Sequence, residues 1–216
     1  MKISGAIFDM DGTVTDSMFV WKDIGKRYLL SRGITPAPNL FDEIKSMSLL
    51  ETCAYFRAVY GVRETDDAIA KGINDIVEPL YLTEVGPKPG VVALLEHYRA
   101  RGVPMVLATA TDRYLVKETL EKIDLLKYFK AIYTCTEVGA GKTMPDVYEA
   151  ALVCAGTPKS ETPVFEDAWF GLSTAKRASF PTVAVYDDSQ KRDWETMKRE
   201  ATIAITDYRT NMALLK

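Results

Sequence analysis

Ile3-Ser-Gly-Ala-Ile-Phe8, followed at once by Asp9-Met-Asp-Gly-Thr13, decides how this chain is read. The first stretch is a short apolar run of the kind that forms a buried strand. The second places two carboxylates and a glycine where that strand must end. A buried strand with acids only at its carboxyl end has the form of a site-bearing strand in an open α/β sheet.

From Asp16 to about Leu82 the pattern turns helical. Phe19, Val20, Ile24, Tyr28 and Leu29 recur near a 3.6-residue period, as do Ile44, Met47, Leu50, Ala54 and Val59. Gly33, Pro36, Pro38 and Gly61 punctuate this stretch. Gly86-Pro-Lys-Pro-Gly90 breaks the pattern, and strands then alternate with helices. Helices are expected over 91–101, 114–123, 146–155, 170–178 and 192–200. Strands are expected over 104–108, 131–134, 163–166, 181–185 and 201–205. Such alternation implies an α/β fold with a parallel sheet covered on both faces. Residues 1–15 and 87–216 are expected to form the core, and 16–86 an inserted helical cap.

Of the 216 residues, 47 % are hydrophobic and 26 % charged, with a formal net charge of −3. Without a broad basic field, nucleic acid is not an expected partner. No apolar run reaches the roughly 20 residues that a membrane helix needs. Asp9 and Asp11 interrupt the apolar start too early for a signal peptide. Cys53, Cys135 and Cys154 show no metal-ligand spacing and suit a reducing compartment. The expectation is a soluble cytoplasmic protein, a monomer or small homo-oligomer.

The ends of the expected strands hold the chemistry. Asp9 and Asp11 end the first, and Thr109-Ala110-Thr111 the next. Gly139-Ala-Gly-Lys142 follows the third, and Glu166-Asp167 ends the fourth. So many carboxylates on one edge repel unless a hard cation such as Mg2+ sits among them. Taken singly, each feature has an ordinary explanation. Asp-x-Asp-Gly could be a calcium loop, but Val14, Met18 and Val20 occupy places where ligands would fall. Thr109 could be a locally bonded hydroxyl, Lys142 a solvated charge, and Glu166-Asp167 a helix start. Gly139-Ala-Gly-Lys142 lacks the full spacing of a nucleotide-binding P-loop. The single histidine, His97, lies on an amphipathic helix with no nucleophile near it, and Trp169, Phe170 and Trp194 read as packing residues.

The four motifs in this order resemble the haloacid dehalogenase-like hydrolase superfamily. The likeness is to its helical-cap branch, which includes beta-phosphoglucomutase and phosphoglycolate phosphatase. The resemblance implies a Rossmann-like core and a Mg2+-dependent phosphatase acting on a small phosphate monoester, such as a sugar phosphate. By position, Asp9 would attack phosphorus and carry an aspartyl-phosphate. Asp11 would protonate the leaving oxygen and then activate water. Thr109 would hydrogen-bond a phosphoryl oxygen, with Met10 and Ala110 beside it, and Lys142 would neutralise charge. Mg2+ would be held by Asp9, the carbonyl of Asp11 and Asp167, with Glu166 next to them.

Three departures narrow the reading. Lys142-Thr-Met-Pro145-Asp146 lacks the first proline of the family's lysine motif. Leu49 stands where the resemblance puts a mutase's phosphate-binding arginine, and Trp21 where it puts a histidine. Hydrolysis is therefore favoured over a sugar-phosphate mutase, and both over a noncatalytic binding module on the same fold. Met18, Trp21, Lys45, Met47 and Ser48 are the expected cap contacts to substrate. The cap is expected to move through Asp16-Ser17 and the segment 86–90.

Overall fold

The computed structural model describes residues 1–215. After β1 (Ala6–Phe8), a short strand β2 (Thr15–Asp16) leads into four helices. These are α1 (Met18–Ser31), α2 (Leu40–Ile44), α3 (Leu49–Tyr60) and α4 (Asp66–Thr83). The chain returns through β3 (Gly86–Pro87), which pairs antiparallel with β2: Thr15 faces Pro87 and Asp16 faces Gly86. It then runs α5 (Val91–Ala100), β4 (Met105–Thr109), α6 (Arg113–Lys122), β5 (Ala131–Thr134), α7 (Cys135–Val138), α8 (Asp146–Ala155) and β6 (Val164–Glu166). The last elements are α9 (Trp169–Arg177), β7 (Thr182–Val185), α10 (Trp194–Glu200), β8 (Ile203–Ile205) and α11 (Tyr208–Asn211).

The main sheet is parallel, in the order β5-β4-β1-β6-β7-β8. The chain leaves β1 toward β4 and β5, then crosses back to β6 on the other side. The strand order therefore reverses around β1, and a crevice opens at its carboxyl end. Because side chains alternate across a strand, Ile7 and Phe8 face opposite sides. Ile7, Val106 and Ala108 pack with Val147, Tyr148 and Ala151 of α8. Phe8, Met105 and Leu107 pack with Leu94 and Leu95 of α5 and Leu115 of α6. Phe8 and Phe165, paired in the ladder, stack with ring centroids 4.3 Å apart, locking β1 to β6 beside the site.

The four inserted helices share one apolar interior. Val20, Ile24 and Tyr28 of α1 meet Phe56 of α3 and Ile69, Ile73 and Val77 of α4. Each of these faces follows an i, i+3 or i+4 spacing. Thr65 caps α4 by accepting the N–H of Ala68, and Gly61 ends α3 at φ 67°. The apolar period drawn over Ile44 to Val59 does not hold: Leu50 is 45 % and Val59 57 % exposed. Ser48 starts a new helix there, which resets the phase, and α3 buries Thr52, Cys53 and Phe56 instead. Phe19 is likewise outside the buried stripe of α1. The β2–β3 ribbon, α7 and α11 were not expected from the sequence; elements of two to four residues carry no readable period. No helix among the described residues is long and apolar enough to cross a membrane.

Candidate active site

Asp9 leaves the end of β1 and is 4 % exposed. Lys142 reaches it from the loop between α7 and α8. Gly139 ends α7 in the left-handed region at φ 74°, and Pro145 precedes α8, so this loop turns sharply back to the sheet edge. The ammonium of Lys142 donates to Asp9 Oδ1 and, at 2.6 Å, to Glu166 Oε1. The Tyr148 hydroxyl donates to the same Glu166 oxygen at 2.7 Å. Carboxylate oxygens of Asp9, Glu166 and Asp167 all lie within 4.8 Å of one another.

One buried ammonium does not balance this many carboxylates. Burial is the largest influence on Asp9 and raises its pKa. Lys142 opposes the rise, Glu166 and Asp11 add to it, and the result is about 8. Asp167 is pushed well above the usual carboxylate range by burial and by the charges of Asp9, Glu166 and Asp187. Burial alone would lower the pKa of Lys142, but Asp9 and Glu166 outweigh it and keep the ammonium charged.

Gly12 makes this crowding possible. Its φ is +78°, and an ideal Cβ there would lie 2.3 Å from Asp167 Oδ2 and 2.7 Å from Asp167 Cγ. The Asp167 carboxylate thus rests against backbone that no side chain shields. Its Oδ2 is buried without a hydrogen-bond partner. An orphaned acceptor costs free energy unless something occupies it. An all-oxygen donor set, an unpaired buried carboxylate oxygen and excess negative charge together fit a hard divalent cation such as Mg2+.

Asp11 sits in a collar of hydroxyls. Ser17 donates to its Oδ1 at 2.6 Å and Thr111 to its Oδ2 at 2.6 Å. Tyr81, on α4, also donates to Oδ1, and the indole N–H of Trp21 in turn donates to the Tyr81 hydroxyl. The inserted helices therefore touch Asp11 directly. Burial and the Asp11 charge push the Tyr81 phenol well above its ordinary range, so it remains a donor. Sequence reasoning did not single out Tyr81 for the site. Seventy residues separate it from Asp11, and no local motif marks it. Thr111 is more legible, standing next to Thr109-Ala110 on the same strand end.

A cavity of about 130 Å³ opens onto Asp9, Asp11 and Lys142. Trp21, Lys45, Met18, Met47, Ala110, Thr111, Glu166 and Asp167 line it, as does Phe170, which the sequence had suggested was only packing. Three expected contacts fall elsewhere. The Met10 side chain is in the core, and its carbonyl accepts N–H groups from Thr13, Val14 and Thr15. Ser48 is the N-cap of α3: its hydroxyl accepts the N–H of Glu51, whose carboxylate accepts the N–H of Ser48. Thr109 is fully buried, and its hydroxyl oxygen accepts the Thr111 N–H at 3.1 Å. It supports the 109–111 turn from beneath, while Ala110 and Thr111 reach the cavity. Lys45 pairs with Asp42 at 3.2 Å and with Asp193 at 3.8 Å. His97 is half-buried on α5 and outside the cavity.

Comparison with known proteins agrees with this architecture. The chain is 24 % identical to a phosphorylated carbohydrates phosphatase of Thermotoga maritima over 181 residues, covering 84 % of each chain. It is 27 % identical over 197 residues to a fructose-1-phosphate phosphatase of Escherichia coli, covering 85 % of this chain and 97 % of the relative. Among solved structures, CbbY of Rhodobacter sphaeroides in complex with phosphate superposes with a TM-score of 0.84 at 18 % identity, over 97 % of this chain and 96 % of that one. Beta-phosphoglucomutase of Clostridium difficile does so at 0.79 and 16 %, over 96 % and 92 %. A family model described as haloacid dehalogenase-like hydrolase matches residues 6–185, and the chain belongs to that family.

Proposed function

We propose that the chain is a Mg2+-dependent phosphatase that hydrolyses a small phosphate monoester through a phosphorylated Asp9. The observation that carries this reading is that Asp9, Asp11 and Lys142 line one cavity at the carboxyl end of β1. An Asp9 carboxylate oxygen attacks phosphorus as the bond to the leaving oxygen breaks, and Asp11 gives that oxygen its proton. Water then attacks phosphorus, Asp11 takes the water's proton, and Asp9 is released with free phosphate. Lys142 neutralises charge on Asp9 and on the phosphoryl group throughout. Asp9, the Asp11 carbonyl and Asp167 would hold Mg2+, with Glu166 held beside them by Lys142 and Tyr148. The bound cation supplies the positive charge that keeps Asp9 ionised near neutral pH. Thr111 and the Ala110 backbone, rather than the Thr109 side chain, face the phosphoryl end.

Residues 16–86 act as a cap over a core of 1–15 and 87–216, moving about the β2–β3 ribbon. Hydrolysis is favoured over a mutase reaction by the cap's cations. Leu49 is in the cavity wall, and Lys45, the cap's one cation there, already pairs with Asp42 and Asp193. A second phosphate would therefore find no free positive charge. The likeness to named phosphatases supports the reaction class.

Phosphate release from aryl, alkyl and sugar phosphates, with and without Mg2+, tests this reading. The expected result is release that needs Mg2+ and disappears in Asp9→Asn while the variant stays folded. Equal release by Asp9→Asn would remove Asp9 as the nucleophile.

A further inference from the structure

The cavity beyond the acids is walled almost entirely by hydrocarbon. Met18 and Ile24 of α1, Phe41 of α2, Met47, Ile73 of α4 and Phe170 of α9 form it. Polar side chains there are already committed. The Thr52 hydroxyl donates to the Ser48 carbonyl at 3.0 Å. The Trp21 N–H is engaged by Tyr81 and the Lys45 ammonium by two aspartates. One group stands apart: Gln190, after β7, lines the cavity at 3 % exposure, and its Oε1 has no hydrogen-bond partner.

We infer that the leaving group is the alcohol of an apolar, aliphatic or aromatic body, with at most one hydrogen-bonding substituent met by Gln190. The inference rests on the phosphatase reading and names the substrate class for that same site. Hydroxyls of a sugar ring buried here would lose their water without gaining protein partners. A carbon ring gains apolar contact over the same area. An aliphatic-lined cavity of about 150 Å³ holds a benzene molecule, so a cavity of about 130 Å³, open toward the acids, limits the apolar body to about one small ring. This separates the chain from relatives named for carbohydrate phosphates, although its acids and lysine are arranged for the same reaction.

Cyclohexylmethyl phosphate and glucose 6-phosphate form a matched pair for the test. Both are primary-alcohol esters on a six-membered ring, so leaving-group chemistry is similar and the difference lies in the ring oxygen and the hydroxyls. In the Mg2+-loaded protein, kcat/KM is expected to favour cyclohexylmethyl phosphate by about 100-fold. Gln190→Leu should widen the ratio by lowering glucose 6-phosphate turnover. Met47→Gln, a swap of similar length at a half-buried wall position, should narrow it severalfold. With 4-nitrophenyl phosphate as the reaction control, the two ideas fail differently. Release from the control with a ratio near one or favouring glucose 6-phosphate overturns the apolar-substrate inference alone. An unmoved ratio in both variants overturns the assignment of selectivity to these side chains. No release from any of the three esters overturns the phosphatase reading and the inference with it.

Discussion

The Tyr81 hydroxyl, on the last helix of the insert, donates to the Asp11 carboxylate at the end of the first strand. Tyr81 is fully buried and also accepts the Trp21 N–H, so one phenol joins the cavity wall to the group proposed to move protons.

Tyr81→Phe keeps the ring and removes that junction. Asp11 retains Ser17 and Thr111, so the fold should survive with a loss of about 1.5–3 kcal/mol, as for a hydrogen bond to a charged group. A less firmly oriented acid should cost roughly tenfold in kcat for alkyl phosphates and much less for aryl phosphates, which need little protonation on leaving. Denaturant melts and a paired alkyl–aryl assay check this. Equal losses on both esters would show that Tyr81 acts on something other than proton delivery.

Asp167→Asn should separate stability from function. Replacing an ionisable carboxyl that the cluster disfavours with a neutral amide should raise metal-free stability by about 1–2 kcal/mol, a size common when a strained site is relieved. The same change should abolish the stabilisation by Mg2+. Thermal melts in chelator and in Mg2+ give both readings.

Stability without a divalent cation should fall as pH rises. Asp9 has a folded pKa of about 8 against an ordinary 3.8. The folded protein therefore holds a proton that the unfolded chain has released between those values. Its contribution is intact below about pH 4 and is lost as pH climbs toward 8; Asp167 shifts in the same direction. Mg2+ replaces that proton, so its thermal shift should be larger at pH 8 than at pH 6. At 100 times its dissociation constant the gain is about 2.7 kcal/mol, or roughly 5–10 °C for a chain of this size. A Mg2+ shift independent of pH would contradict the charge crowding described for the cluster.

Gly141→Ala tests the seating of the insert on the core. An ideal Cβ there would stand 2.5 Å from Glu51 Oε2, 3.1 Å from the Ser46 carbonyl oxygen and 3.3 Å from the Ser48 nitrogen. The Glu51 side chain can yield, but the 46–48 backbone must shift. Lys142 is the next residue, so kcat/KM should fall about tenfold or more through misplacement of the site, while circular dichroism stays unchanged. Full activity would mean that the insert tolerates a displaced α3 start.

Much of this arrangement was legible in the sequence because strong signals coincide. The apolar run before Asp9 and the alternation after Gly90 gave the sheet and its carboxyl edge. Asp9, Asp11, Lys142, Glu166 and Asp167 do meet there. The insert was harder. Its four helices were evident as a helical stretch, but Ser48 broke one apparent period into two and left Leu50 and Val59 facing outward. Ser48, expected as a substrate contact, instead forms with Glu51 the Ser-x-x-Glu pair that starts a helix. Tyr81 and Gln190 had no local signature. A buried phenol on an amphipathic helix looks like core, and an isolated glutamine looks like surface. Only tertiary structure gives either a role.

The insert departs and returns through a single ladder, Thr15 and Asp16 against Gly86 and Pro87. Its two ends are thus about 5 Å apart, the spacing of neighbouring strands. Closely spaced termini are the condition under which one folded unit can be spliced into another without disturbing its host. The insert's share of the cavity wall is therefore a replaceable part. A different helical module grafted at the same four residues would present new side chains to an unchanged row of acids, so selectivity can diverge while the strand that bears Asp9 stays as it is.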